Sequence, residues 1–184
     1  MSAPPGPLAW TLREFLDRKR GQALRHEFDG AQPVAMPGGT VGQAAVAART
    51  IAALARRLPW PCQPMGSAVR IEVAENRIRY PDVVVTCTHP LPLETDILPS
   101  PVAVFEVLSP STAAFDRTVK AAEYAATPSI QVHVMLAQDR PRATIMRRTT
   151  AGWEEATVEG LDATLALTEI GIAALPLREL YPAE

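Results

Sequence analysis

Residues 101–124, PVAVFEVLSPSTAAFDRTVKAAEY, decide how this chain folds and where its chemistry lies. From Val102 to Leu108 the run is apolar and β-prone, the pattern of a buried strand, and Glu106 is its one ionisable residue. An ionised carboxylate buried alone is costly, so this strand must give Glu106 a cation, a metal, or a proton held by a raised pKa. Ser109, Pro110, Ser111 and Thr112 then read as a loop, and Ala113 to Ala126 as a helix that carries Asp116, Arg117 and Lys120.

Ile130 to Leu136 is a second apolar strand behind that helix. The order strand, helix, strand is a β-α-β crossover, which places the two strands parallel in one sheet. Ala143–Arg148 and Trp153–Val158 are further strands, and the tail from Leu165 to Tyr181 reads as loop and short helix.

Upstream, Leu8–Arg20 fits a short amphipathic helix ended by Gly21. Leu24–Met36 reads as a hairpin turning at Asp29-Gly30. Pro37-Gly38-Gly39 breaks the chain, Thr40 is placed to cap an Ala-rich helix over Val41–Leu58, and Pro59–Pro64 stops it. Val69–Val73 and Arg77–Cys87 read as two strands joined across Ala74-Glu75-Asn76. Pro81 cannot donate to a ladder, so an edge position or a bulge is expected beside Asp82. Thr88–Ser100 is a proline-rich loop and a candidate for mobility. The expectation is one α/β domain over residues 1–184, frayed at 1–7.

With 184 residues, nearly half of them apolar, the chain is long enough for one core of ordinary size. Its net charge of −2 lacks the global basic footprint of a constitutive nucleic-acid binder. Of 18 positive residues only Lys19 and Lys120 are lysines, which makes the retained lysine at 120 informative. Cys62 and Cys87 show no metal-ligand spacing, so a structural zinc is not expected. The N-terminus lacks a charged-then-apolar leader, and no apolar run reaches the roughly 18 residues of a spanning helix. A soluble cytoplasmic protein without membrane contact is expected.

Three residues converge on one chemistry: Asp82 beside a strand proline, Glu106 in the next apolar strand, and Lys120 on the helix after it. Asp116, Lys120 and Tyr124 recur every four residues and so share a helical face. Two carboxylates on neighbouring strands repel unless a divalent cation lies between them, and magnesium prefers hard oxygen ligands of this kind. A lysine nearby can orient or help deprotonate a water, or balance charge on a pentavalent phosphorus. Each residue also has a plainer reading. Asp82 can bond local turn amides, Glu106 can pair with an arginine, Lys120 can be a solvated partner of Asp116, and Tyr124 can lie at the edge of the core.

At Pro81-Asp82, Glu106-Val107-Leu108-Ser109-Pro110-Ser111-Thr112 and Asp116-x-x-x-Lys120-x-x-x-Tyr124, the sequence resembles the bacterial Uma-type restriction endonucleases of the PD-(D/E)xK superfamily. Glu27-Phe28-Asp29-Gly30, Pro37-Gly38-Gly39-Thr40 and Leu175-Pro176-Leu177 with Tyr181 extend the resemblance over nearly the whole chain. It implies a restriction-endonuclease-like α/β core, with a mixed β-sheet flanked by helices and an N-terminal helix and hairpin. It also implies Asp82, Glu106 and the Val107 carbonyl as metal ligands, with Mg²⁺ or substituting Mn²⁺, and Glu27 joining the metal shell through water. The catalytic set is then Asp82, Glu106 and Lys120, supported by Glu27, Asp116 and Tyr124. The superfamily's usual lysine position holds Leu108, so its task would fall to Lys120. Gln43 stands where related chains carry a histidine, and His26, His89 and His133 read as structural or loop residues.

The expected activity is Mg-dependent hydrolysis of DNA by a metal-activated water, with a homodimer as a possible arrangement. A nuclease-fold module that only binds or assembles, and a hydrolase of smaller phosphodiesters, are the competing readings.

Overall fold

The computed structural model describes residues 9–19, 25–36, 38–74, 76–110 and 112–181. The expected fraying of 1–7 and the readings at Leu8, Arg20, Gly21, Leu24, Pro37, Glu75 and Ser111 lie outside them. Helix α1 (Leu12–Lys19) precedes a hairpin of β1 (His26–Phe28) and β2 (Pro33–Ala35). The hairpin turns where expected, and Asp29 holds the turn by accepting the Ala31 and Gln32 amides at 2.8 and 2.6 Å. Helix α2 (Val41–Ala55) opens with a capping box in which the Thr40 hydroxyl accepts the Gln43 amide and the Gln43 side chain accepts the Thr40 amide.

The Arg77–Cys87 segment is not one strand. It divides at Tyr80-Pro81-Asp82 into β5 (Arg77–Arg79) and β6 (Val83–Thr86), which belong to different sheets. With no N–H at Pro81, the chain leaves one ladder there and enters the next. β4 (Ile71–Val73) pairs with β5 in a four-stranded sheet ordered β2-β1-β5-β4. The proline punctuation after α2 hides β3 (Gln63–Gly66), an edge strand that tolerates Pro64. Because Gln63 lies opposite Thr86, the next residues outward, Cys62 and Cys87, meet and form a disulfide that sequence spacing did not announce.

The main sheet runs β10-β9-β8-β7-β6-β3. In it β7 (Pro101–Leu108) lies parallel to β8 (Val132–Ala137), as the crossover requires, while β9 (Arg142–Thr149) and β10 (Gly152–Glu159) continue antiparallel. The crossover helix comprises α3 (Ala113–Phe115), a π-turn (Asp116–Lys120) and α4 (Ala121–Ala126) rather than one regular α-helix. The tail carries the expected short helix, as 3-10 turns at Thr168–Ile170 and Leu177–Glu179, but the rest is a hairpin rather than loop: β11 (Thr164–Leu167) pairs with β12 (Ile172–Pro176). Its buried Leu165 and Leu167 alternate with exposed neighbours, a period of two in a stretch too short to stand out.

Phe105 and Val107 turn to one face of the sheet, where they pack with Val46 and Leu54 of α2 and with the tail hairpin. Val104 turns to the other, with Tyr124 and Ile130. Glu106 shares that second face, because side chains alternate along a strand. Among the described residues no helix is long and apolar enough to cross a membrane.

Candidate active site

Pairing between β6 and β7 ends where Val83 faces Phe105, yet β7 continues to Leu108 against β8. On the side that β6 has left, the Val107 amide donates to Asp82 Oδ2 at 2.7 Å and the Val107 carbonyl accepts the Gln43 side-chain amide at 2.9 Å. Asp82 therefore bonds an amide 25 residues away rather than one in its own turn. Gln43, noted in the sequence only as a departure, links the start of α2 to the end of β7.

Glu106 is 3% exposed. Its Oε1 accepts the Tyr124 hydroxyl at 2.5 Å and the Lys120 ammonium at 3.2 Å, so its partners are not arginines. Lys120 is buried rather than solvated, and it also lies 3.1 Å from Asp116 Oδ1 and 3.6 Å from Glu27 Oε1. Tyr124 is fully buried, not at the core's edge. The π-turn puts Asp116 and Lys120 over the sheet: the Ala121 amide reaches back five residues to the Asp116 carbonyl, a widened turn that recurs at functional sites.

The structure thus gathers Asp82, Glu106, Lys120, Glu27, Asp116 and Tyr124 around the end of β7. Three carboxylates, Glu106, Asp116 and Glu27, share one ammonium, with Arg79 as a further cation 3.6 Å from Glu27. Burial raises the Glu106 carboxyl to about 7; Lys120 opposes that rise, and the negative charges of Asp82 and Asp116 reinforce it. Burial also raises Asp82, against the Val107 amide and Lys120, which hold its charged form. Burial disfavours the Lys120 ammonium, but Glu106, Glu27 and Asp116 outweigh it and raise its pKa. Burial and the adjacent Glu106 carboxylate hold the Tyr124 phenol well above its ordinary range.

Among the described residues no three His, Cys, Asp or Glu side chains form a ready metal cage. What lies around the end of β7 is two carboxylates that feel each other's charge, Asp82 and Glu106, and the carbonyl of Val107, whose amide Asp82 binds. Hard oxygen donors in that number suit magnesium, which takes one or two carboxylates and fills its other positions with water and phosphate.

Sequence reading missed Arg79 and Glu123 altogether. They form a buried fork, with Arg79 Nε and Nη2 each 2.7 Å from a Glu123 oxygen. His133, read as structural or loop, is a buried residue of β8: its ring meets Tyr124 edge-on with centroids 4.9 Å apart, and its two nitrogens have no hydrogen-bond partner among the described residues. Burial lowers its pKa to about 3, with Lys120 adding to the effect. The only sequence signal for the fork was a second acidic residue, Glu123, three positions beyond Lys120.

A mixed sheet with helices on both faces, carrying acidic residues and a lysine at the end of its parallel pair, defines a restriction-endonuclease-like α/β protein. The chain belongs to the Uma2 family, described as "Putative restriction endonuclease", which it matches over residues 12–177. It is 31% identical over 125 residues to "Uncharacterized protein slr1290" of Synechocystis sp. (strain ATCC 27184 / PCC 6803 / Kazusa), an alignment covering 67% of this chain and 66% of that relative's length. Its fold is similar to a crystal structure described as that of a "putative nuclease" from Anabaena variabilis ATCC 29413, with a TM-score of 0.72 at 16% identity over 93% of this chain and 97% of the other.

Proposed function

We propose that this protein is a magnesium-dependent endonuclease hydrolysing DNA phosphodiester bonds, with Asp82, Glu106 and the Val107 carbonyl holding the cation. The observation that carries the reading is Glu106, a buried carboxylate raised to about 7 whose neighbours are a lysine, a tyrosine and other carboxylates. Bound magnesium, or manganese in its place, would offset that excess charge and make a water acidic enough to attack phosphorus.

The chain's own groups divide the remaining work. Lys120, with its pKa raised, stays an ammonium at working pH. It therefore orients the attacking water and stabilises charge growing on the phosphoryl oxygens, rather than removing a proton. Tyr124 keeps its proton and holds Glu106 in place by donating to Oε1. Asp116 and Glu27 fix the ammonium from two other sides. Leu108 fills the usual lysine position, and Lys120 reaches Glu106 from the helix instead. Cutting both strands of a duplex calls for two copies, which makes a homodimer the natural arrangement for that outcome.

The test is cleavage of plasmid and linear DNA with Mg²⁺ or Mn²⁺, comparing the protein with Glu106→Ala. Metal-dependent cleavage lost in the variant is expected. No cleavage under either metal, or equal cleavage by the variant, overturns the reading. One observation favours a non-catalytic binding module instead: Gln43 already donates to the Val107 carbonyl. Calorimetry showing no divalent binding would select that alternative.

A further inference from the structure

Arg79 is the largest fully buried side chain among the described residues, and all of its nitrogens are engaged. Nε and Nη2 fork onto Glu123, while Nη1 donates to the Phe28 carbonyl at 3.1 Å and the Ile78 carbonyl at 3.2 Å and lies 3.6 Å from Glu27 Oε2. Glu27 turns its other oxygen, Oε1, to Lys120 at 3.6 Å and to the Tyr80 amide at 3.3 Å. One carboxylate thus bridges two buried cations, Arg79 and Lys120. Three elements meet on the fork: β1 supplies Glu27 and Phe28, β5 supplies Arg79, and α4 supplies Glu123, three residues after Lys120.

Stability alone does not account for this pair. A buried ion pair seldom repays the desolvation of its charges, and apolar residues of similar volume commonly serve the fold as well. We infer that Arg79 is a positioning residue acting through Glu27: by carrying part of the Glu27 charge it leaves the Lys120 ammonium to Glu106, Asp116 and the substrate. Glu123 holds the guanidinium where it can do so. Without Arg79, Glu27 has Lys120 as its near cation and draws the ammonium toward β1, off Glu106. This role rests on the nuclease reading, but the placement of Lys120 can be measured without activity.

The chain has only two lysines, Lys19 and Lys120, so isotope labelling at lysine gives a nearly isolated ammonium signal for the site. The double variant Arg79→Met/Glu123→Met removes both charges of the fork together. It is expected to melt near the parent temperature, to shift the Lys120 resonance, and to lower kcat by about tenfold with KM for DNA little changed. Adding Glu27→Gln to it is expected to return the resonance toward its parent position and to recover part of kcat. A Lys120 resonance that stays put in the double variant, or does not return with Glu27→Gln, overturns the inference whatever the cleavage assay gives. So does a Glu27→Gln effect that simply multiplies with that of the double variant. A resonance that shifts and returns while the parent protein never cleaves DNA upholds the placement of Lys120 and overturns the nuclease reading instead. If the double variant does not melt cooperatively, Arg79→Lys keeps the charge without the fork and is read by kcat. Activity within about threefold of the parent supports the inference, and a deeper loss overturns it.

Discussion

Phe105 and Glu106 are consecutive residues of β7, both buried, yet they enter two different interiors. Phe105 joins an apolar cluster with α2 and the tail hairpin. Glu106 enters a pocket of charge beneath the crossover helix, held by Tyr124 and Lys120. The same strand is thus ordinary core on one face and, on the other, a place where carboxylates outnumber cations. Packing explains the first face completely. The second is held by neighbouring side chains that share its charge, and the proposed divalent cation would offset the carboxylate excess that remains.

The sharpest way to break this comparison is to truncate each residue in turn. Phe105→Ala is expected to cost about 3–5 kcal/mol in denaturant unfolding, through lost burial and the cavity left behind. Glu106→Gln keeps the volume and an acceptor for Tyr124, and should change metal-free stability by less than about 1 kcal/mol at neutral pH. If Glu106→Gln proves as destabilising as Phe105→Ala, the two faces do not differ in kind.

Acid titration tests the charged face directly. The folded Glu106 pKa, about 7, lies above its ordinary 4.5, so the folded state holds this proton more tightly. Its contribution is present below about pH 4.5 and is lost as pH rises through 7. His133 works in the opposite sense: its folded pKa is depressed to about 3, so it costs stability as pH falls below about 6.5. The two oppose each other in the parent protein, and difference curves separate them. Relative to the parent, Glu106→Gln should gain on the order of 2 kcal/mol between pH 4.5 and 7.5 in metal-free urea titrations. A flat difference would remove Glu106 as the raised group.

The smallest expected effect concerns His133, the polar ring on the charged side that has no partner for its nitrogens among the described residues. His133→Phe keeps an aromatic ring against Tyr124 and relieves two unsatisfied atoms. It should raise stability at pH 7.5 by up to about 1 kcal/mol, and by more as pH falls. A loss of stability would mean that the imidazole makes a polar contact the geometry does not show.

Much of this was legible in local sequence. The apolar run around Glu106, the strand-helix-strand order, the Asp29-Gly30 turn and the Thr40 cap each act over a few residues, and each appears where the pattern placed it. The residues of the candidate site were legible too, because Asp82, Glu106 and Lys120 stand beside strong local signals: a strand proline, an apolar strand and a helical repeat. The edge strand β3 was hidden by its prolines, and the tail hairpin by the brevity of its alternation. Nothing local marks the π-turn, because its spacing of acid and lysine is also that of an ordinary α-helix.

By itself the sequence determined that a carboxylate would be buried in a strand, and that a second carboxylate and a lysine would come from the segments on either side. Those choices follow from periodicity, proline chemistry and the cost of unpaired charge. Only the tertiary structure decided how that charge is shared. It placed Asp82 on the Val107 amide 25 residues away, Gln43 on the Val107 carbonyl 64 residues away and Arg79 on Glu123 44 residues away. Such pairings are set by sheet register and by where one strand stops while its neighbour continues, and neither is written in any short stretch of the chain.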